Sequence, residues 1–170
     1  MSTIRNIIAA AVANGQLRIL QARPLSAPRI RSLYLAEELF DAIYETRVNR
    51  ADTARFVALE ATLAEFVTSR TLDPEYLCLL TPTSECVWEI RSVRPKPSMR
   101  VFGLFAERDS FIATNFEYRE VLSDDEIQWD LQMRTAKHVW TRIFPALTPR
   151  DETDATQLVT GAVHGKYFKK

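Results

Sequence analysis

The sequence predicts an α+β fold: a helical hairpin packed on a small, mainly antiparallel sheet, with an added N-terminal helix and a C-terminal tail. Three observations carry this. Two stretches in the first half repeat their apolar residues at a helical period, Ile30, Leu33, Tyr34, Phe40 and Tyr44 in one and Phe56, Leu59, Leu63, Phe66 and Val67 in the other. Between residues 76 and 116 the helical period disappears and the apolar runs become short. A last long periodic stretch opens on Ser123-Asp124-Asp125-Glu126, where acids sit at the positive end of a helix dipole. Strands gathered after a pair of helices, rather than alternating with them, indicate α+β.

Taken in order, Ile4, Ile7, Ile8, Ala11 and Val12 share one face of a first helix that Asn14-Gly15 stops. Residues 16–22 form a first strand, and Pro24 and Pro28 break the chain after it. A helix is expected over residues 29–46, and Leu35, Leu39 and Ile43 widen its stripe until most of its surface must be buried. A polar loop at 47–52 leads to a third helix, capped by Asp52 or Thr53 and running to about residue 69. After Asp73-Pro74 comes a short apolar run at 76–80, then a turn at 82–85. A strand follows at 86–93, with Cys86, Trp88 and Ile90 on one face and Glu89 and Arg91 on the other. Pro95-Lys96-Pro97 cannot enter a sheet interior, because each proline lacks a ladder donor. Residues 100–106 and 111–116 make the clearest hairpin, although its turn at 107–110 has no Asn-Gly or Asp-Gly. The final helix reaches about residue 143, carrying Ile127, Leu131, Ala136, Val139, Trp140 and Ile143, and Pro145 and Pro149 end it. This divides the chain into an N-terminal helix over 1–15, an α+β domain over 16–145 and a polar, lightly basic tail over 146–170.

With 170 residues, 46% apolar and 26% charged, the chain can bury a core without disulfides or metal. Cys78 and Cys86 sit in apolar runs and read as buried thiols in a reducing cytoplasm. No apolar run approaches the roughly 18 residues that span a bilayer, so no membrane partner is expected and the location is read as cytoplasmic. Four glycines and no glycine-rich loop exclude a phosphate-cradling or dinucleotide motif. His138 and His164 stand apart from any ligand cluster, so neither metal nor cofactor is expected. The net charge is zero, so an anionic partner must be held by a local patch. One patch stands out: Arg91, Arg94, Lys96 and Arg100 place four cations in ten residues with no acid among them. In the tail, Lys166, Tyr167, Lys169 and Lys170 combine cations with an aromatic ring.

Trp88-Glu89-Ile90-Arg91, Arg100-Val101-Phe102, residues 111–116 and the helix around Ala136 follow one another in an order that resembles the RelE/HigB superfamily of toxin ribonucleases, nearest its larger phage-associated branch. The resemblance covers residues 16–144 at the level of element order, strand, two helices, three strands, helix. It implies a metal-free endoribonuclease in which the ribose 2′-OH attacks the adjacent phosphate. It also implies RNA or ribosome-bound mRNA as partner, with an antitoxin protein as a second partner. By that resemblance Arg94 and Lys96 approach the RNA backbone and Arg100 faces the scissile phosphate. Arg119 completes a cationic cradle, and Tyr118 stacks on a base or donates a proton. Arg91 either joins the RNA-binding set or pairs with Glu89. Where the family often has two lysines after the last strand, this chain has Glu117-Tyr118-Arg119. The alternative is a non-catalytic protein- or RNA-binding module of the same fold, associated with a phage or mobile element. Nothing in the sequence fixes an oligomeric state.

Overall fold

Residues 99–118 build the centre of the molecule. In the computed structural model, which describes residues 3–45 and 52–163, β5 (Met99–Glu107) and β6 (Ser110–Tyr118) form a long antiparallel hairpin. The turn residue Asp109 has φ 61°, a left-handed conformation that Asp tolerates well among non-glycine residues. Every β5 residue from Val101 to Ala106 is buried, so both faces of this strand are covered.

The other strands extend the hairpin on both sides. Among the described residues the sheet has six strands in the order β1-β2-β6-β5-β4-β3, with β1 at Leu17–Ile19, β2 at Ser32–Ala36, β3 at Leu77–Leu79 and β4 at Trp88–Arg91. Four of its five pairings are antiparallel, and β2 with β6 is parallel. The fold is therefore α+β with a mainly antiparallel sheet.

The largest correction falls on residues 29–46. Ser32–Ala36 is a strand, and the helix α2 that follows is only Glu37–Tyr44. Leu33 and Leu35 are fully buried on β2 between its two neighbours. Burial alternates along β2, with Leu33 and Leu35 buried and Ser32 and Tyr34 half-buried, but Tyr34 is itself apolar and the strand runs straight into α2, so the stretch looks in sequence like the broad stripe of one buried helix. The short run at 76–80 is likewise a strand, β3.

Helices cover both faces. The helix α3 (Thr53–Thr68) packs through Phe66 on Phe111 and Phe56 on Phe116, with ring centroids 5.8 and 5.9 Å apart. The helix α5 (Glu126–Ile143) lies on the opposite face, where Trp129 meets Phe102 at 6.0 Å and Gln132 Oε1 accepts from Asn115 Nδ2 at 2.8 Å. The buried stripe of α5 is Trp129, Gln132, Met133, Ala136, Val139, Trp140 and Ile143. Ile127 and Leu131, assigned to that stripe from sequence, are 74% and 52% exposed. Asp125 caps α5 by accepting from Ile127 N at 2.9 Å. Asp52 occupies the cap position of α3 but makes no capping bond, because its carboxylate receives the Tyr118 hydroxyl instead. The first helix, α1 (Ile4–Ala13), ends as expected at Asn14-Gly15, with Gly15 at φ 79°.

The described part of the tail is folded. Arg150 N donates to Phe105 O at 2.9 Å, and the helical turn α6 (Ala155–Leu158) buries Ala155 and Leu158. Arg31, 1% exposed, donates to the carbonyls of Phe66, Ser69 and Thr160 and so fastens this segment to the end of α3. The polar loop at 47–52, apart from Asp52, and the tail residues His164, Lys166, Tyr167, Lys169 and Lys170 lie outside the described residues.

Candidate nucleic-acid interface

Strand register sets up the site. Arg91 pairs with Arg100 across β4 and β5, and Arg100 pairs with Glu117 across β5 and β6. Paired residues in neighbouring strands point to the same face, so all three side chains rise from the face that α5 covers further along. Glu89, two residues before Arg91, shares that face.

Glu89 is 0% exposed. Its Oε1 accepts from Arg91 Nε at 2.7 Å, and its Oε2 lies 3.6 Å from Arg100 Nε. Of the two roles the sequence left open for Arg91, the structure shows the pairing with Glu89. In the fold the carboxylate is buried between two guanidiniums: Oε1 is hydrogen-bonded to Arg91, while Oε2 has no hydrogen bond among the described residues and is offset only by the charge of Arg100. Burial is the largest influence and works against the Arg91 cation, but attraction to Glu89, Cys78 and Glu75 together with the hydrogen bond to Glu89 outweighs it and holds the Arg91 pKa above its ordinary value. Burial dominates for Arg100 and lowers its pKa, with Arg91 and Arg119 adding like-charge repulsion against the attraction of Glu89. An arginine starts so high that both remain cations at any working pH.

Arg100 is held as well as charged. Its Nη1 donates to Ser92 O at 3.2 Å, Ser98 Oγ at 3.0 Å and Met99 O at 3.1 Å. Its Nη2 has no partner among the described residues. The two prolines keep the 92–98 segment out of the sheet, and Ser92 closes its base by accepting from Met99 N at 2.9 Å. At the same open end of the hairpin, the short turn α4 (Arg119–Leu122) carries Arg119, whose N donates to Ser98 O at 2.8 Å. That guanidinium stacks over Trp129 at 5.7 Å, donates to Ser123 O and pairs with Asp124 at 3.3 Å. Arg55, from α3, anchors α4 through Glu120 at 3.2 Å.

Lys96, Arg100 and Arg119 come together on one open cleft of about 620 Å³, whose lining also includes Ser98, Glu120 and Ser123. Lys96 is exposed and has no partner among the described residues. The other candidates are placed differently. Arg94 is exposed on the same loop but does not line the cleft. Arg91 lies behind it, tied to Glu89. Tyr118 points to the opposite face of the sheet, where its hydroxyl donates to Asp52 Oδ2 at 3.1 Å and Arg55 stacks over its ring at 5.4 Å. Sequence reasoning missed Ser98, Ser123 and Trp129. The signals open to it were two hydroxyls flanking cations and a tryptophan three residues after the acidic helix start.

The Tyr118 phenol is raised above its ordinary value, by burial first and then by donation to Asp52. The neutral phenol is therefore favoured in the fold. Its contribution to stability is present below the ordinary tyrosine pKa of about 10 and is lost as pH rises through the raised folded value. Urea midpoints measured across the alkaline range should fall more steeply for the wild type than for Tyr118→Phe. Parallel curves would refute the hydroxyl's role.

Among the described residues no group of three or more His, Cys, Asp or Glu side chains is placed to hold a metal ion. No described helix is long and apolar enough to cross a membrane. Compared with known proteins, the chain matches no family model, no curated protein and no solved structure.

Proposed function

We propose that this chain is a RelE/HigB-like, toxin-type protein that acts on RNA and cleaves it without a metal. The observation that carries the reading is the convergence of Lys96, Arg100 and Arg119 on one cleft at the ends of the central hairpin. In such a cleavage the ribose 2′-oxygen attacks the neighbouring phosphorus and the 5′-oxygen leaves, giving a cyclic phosphate and a free 5′-hydroxyl. Charge builds on the non-bridging oxygens as the bond forms. Cations already fixed around the phosphate stabilise that charge without reorganising, and this is usually the largest catalytic contribution. Arg100 is fixed by its backbone acceptors and by Glu89, Arg119 by Trp129 and Ser123, and Lys96 supplies a mobile ammonium. The partners that follow are RNA, free or on the ribosome, and an antitoxin protein.

The test is controlled expression in a bacterial host of the wild type beside an Arg94, Lys96 and Arg100 triple alanine variant, following growth and transcript integrity. The wild type should arrest growth and cleave transcripts. The triple variant, folded by circular dichroism, should lower cleavage at least about a hundredfold. Arrest and cleavage that persist in the folded triple variant would remove the cleft from the mechanism.

One observation favours a second reading, a module that binds RNA or protein without cutting. Arg119 already has a carboxylate partner in Asp124, Arg100 has one in Glu89, and the chain is neutral overall. This reading predicts a soluble, non-toxic protein whose transcripts stay intact.

A further inference from the structure

The two edges of the sheet differ. At one edge β3 is buried at all three positions. At the other, β1 is short and partly open. Leu20 N donates to Leu33 O and Glu37 N donates to Gln16 O. Residues 16, 18 and 20 therefore bond to β2, and the peptide groups of Ile19 and Gln21 point away from it. Those outward groups have no hydrogen bond among the described residues. An unpaired row of donors and acceptors is a template for another strand.

Space for side chains lies on both sides of this edge. A cleft of about 860 Å³, lined by Phe40, Val57 and Ala61, and one of about 620 Å³, lined by Ile8 and Tyr34, meet at Val12 and Ile19. A strand laid on β1 would send alternate side chains into one and then the other, which is how strand-addition sites combine backbone affinity with side-chain selectivity.

Charge selects the occupant. Arg18 and Arg23 are exposed beside the edge and have no carboxylate partner among the described residues. Residues 16–23 contain no acid; among the described residues Glu60, half-buried on α3, is the one acid lining the larger cleft, and the acids of the smaller cleft, Glu107 and Asp109, are paired with Arg5 and Arg108. Pairing with a second copy of β1 would bring two arginines from each chain together, which disfavours self-association. We propose that the outer edge of β1 is a strand-addition site for an extended peptide of a partner protein, apolar at its centre and flanked by carboxylates. This site is separate from the cationic cleft and does not depend on how that cleft is read.

The test uses the full chain and two short synthetic peptides of alternating valine and threonine, one ending in glutamates and one in lysines. Binding is followed by calorimetry, with amide hydrogen exchange as the structural readout. The glutamate-ended peptide should bind and protect the Ile19 and Gln21 amides, while the lysine-ended peptide binds at least about tenfold more weakly at low salt. An Arg18→Glu, Arg23→Glu variant should reverse that preference, and Gln21→Pro, which removes an outward amide, should weaken both. Failure of a folded protein to bind either peptide overturns the proposal, as does equal binding of the two. Concentration-dependent self-association that protects the same amides without peptide would also overturn it, in favour of a second copy.

Discussion

Replacing Glu89 by alanine is expected to destabilise the protein by about 3–5 kcal/mol, the usual cost of breaking a buried ion pair by removing one partner. The residue is 0% exposed and lies between Arg91 at 2.7 Å and Arg100 at 3.6 Å. Without it two part-buried guanidiniums face each other across adjacent strands, with no anion between them and little water to screen them. Glu89→Gln tests the electrostatic share, since it keeps the shape and removes the charge. It should recover only part of the loss. Urea denaturation measures both variants, and an alanine variant within 1 kcal/mol of the wild type would show that relaxation or water replaces the carboxylate. If the cleft binds RNA, both variants should also weaken that binding, because Glu89 helps to fix Arg100.

Gly103→Ala is the second large effect. Gly103 sits where the β5–β6 register shifts, and a Cβ there would lie 2.2 Å from Ile112 O and 2.7 Å from two ring atoms of Phe111. The oxygen belongs to the partner strand of the same hairpin and cannot rotate away. Phe111 is itself packed on Phe66 and Phe105. The hairpin must therefore widen at its middle, at a cost at or beyond the upper end of the about 1–3 kcal/mol typical of overpacked cores. Gly15→Ala is the control. Its φ of 79° disfavours a side chain, but nothing lies within 4 Å of the new atom, so it should cost only about 1–2 kcal/mol. Equal losses at the two positions would mean that steric closeness at Gly103 does not matter.

The residues show which parts of the fold sequence patterns can carry. The central hairpin was legible because β5 and β6 are adjacent in sequence and rich in β-branched and aromatic residues. The start of α5 was legible because a cap is a local device. β2 was not, because Tyr34 puts an apolar residue between the buried Leu33 and Leu35 and the strand continues directly into α2, so strand and helix merge into one apolar stripe. In the site, Arg100 and Arg119 were legible from their positions at strand ends. What remained hidden was which face each neighbour takes, and this placed Tyr118 across the sheet from Arg100. The role of Glu89 was hidden too, since a strand glutamate beside an arginine reads as a surface pair until the covering helix is known.

The latch at Arg31 bears on the order in which the chain can fold. Its donation to Thr160 joins residues 129 apart, whereas its bond to Phe66 joins residues 35 apart. The nearer contact closes a smaller loop and is the easier to form early. The farther one must wait until almost the whole chain is in place. The C-terminal segment is therefore set to close last and, on partial unfolding, to open first, exposing the end of α3 while the central hairpin stays paired. A fragment cut before Thr160 would keep the guanidinium in the interior with one acceptor missing, so any minimal form of this fold has to retain that strap.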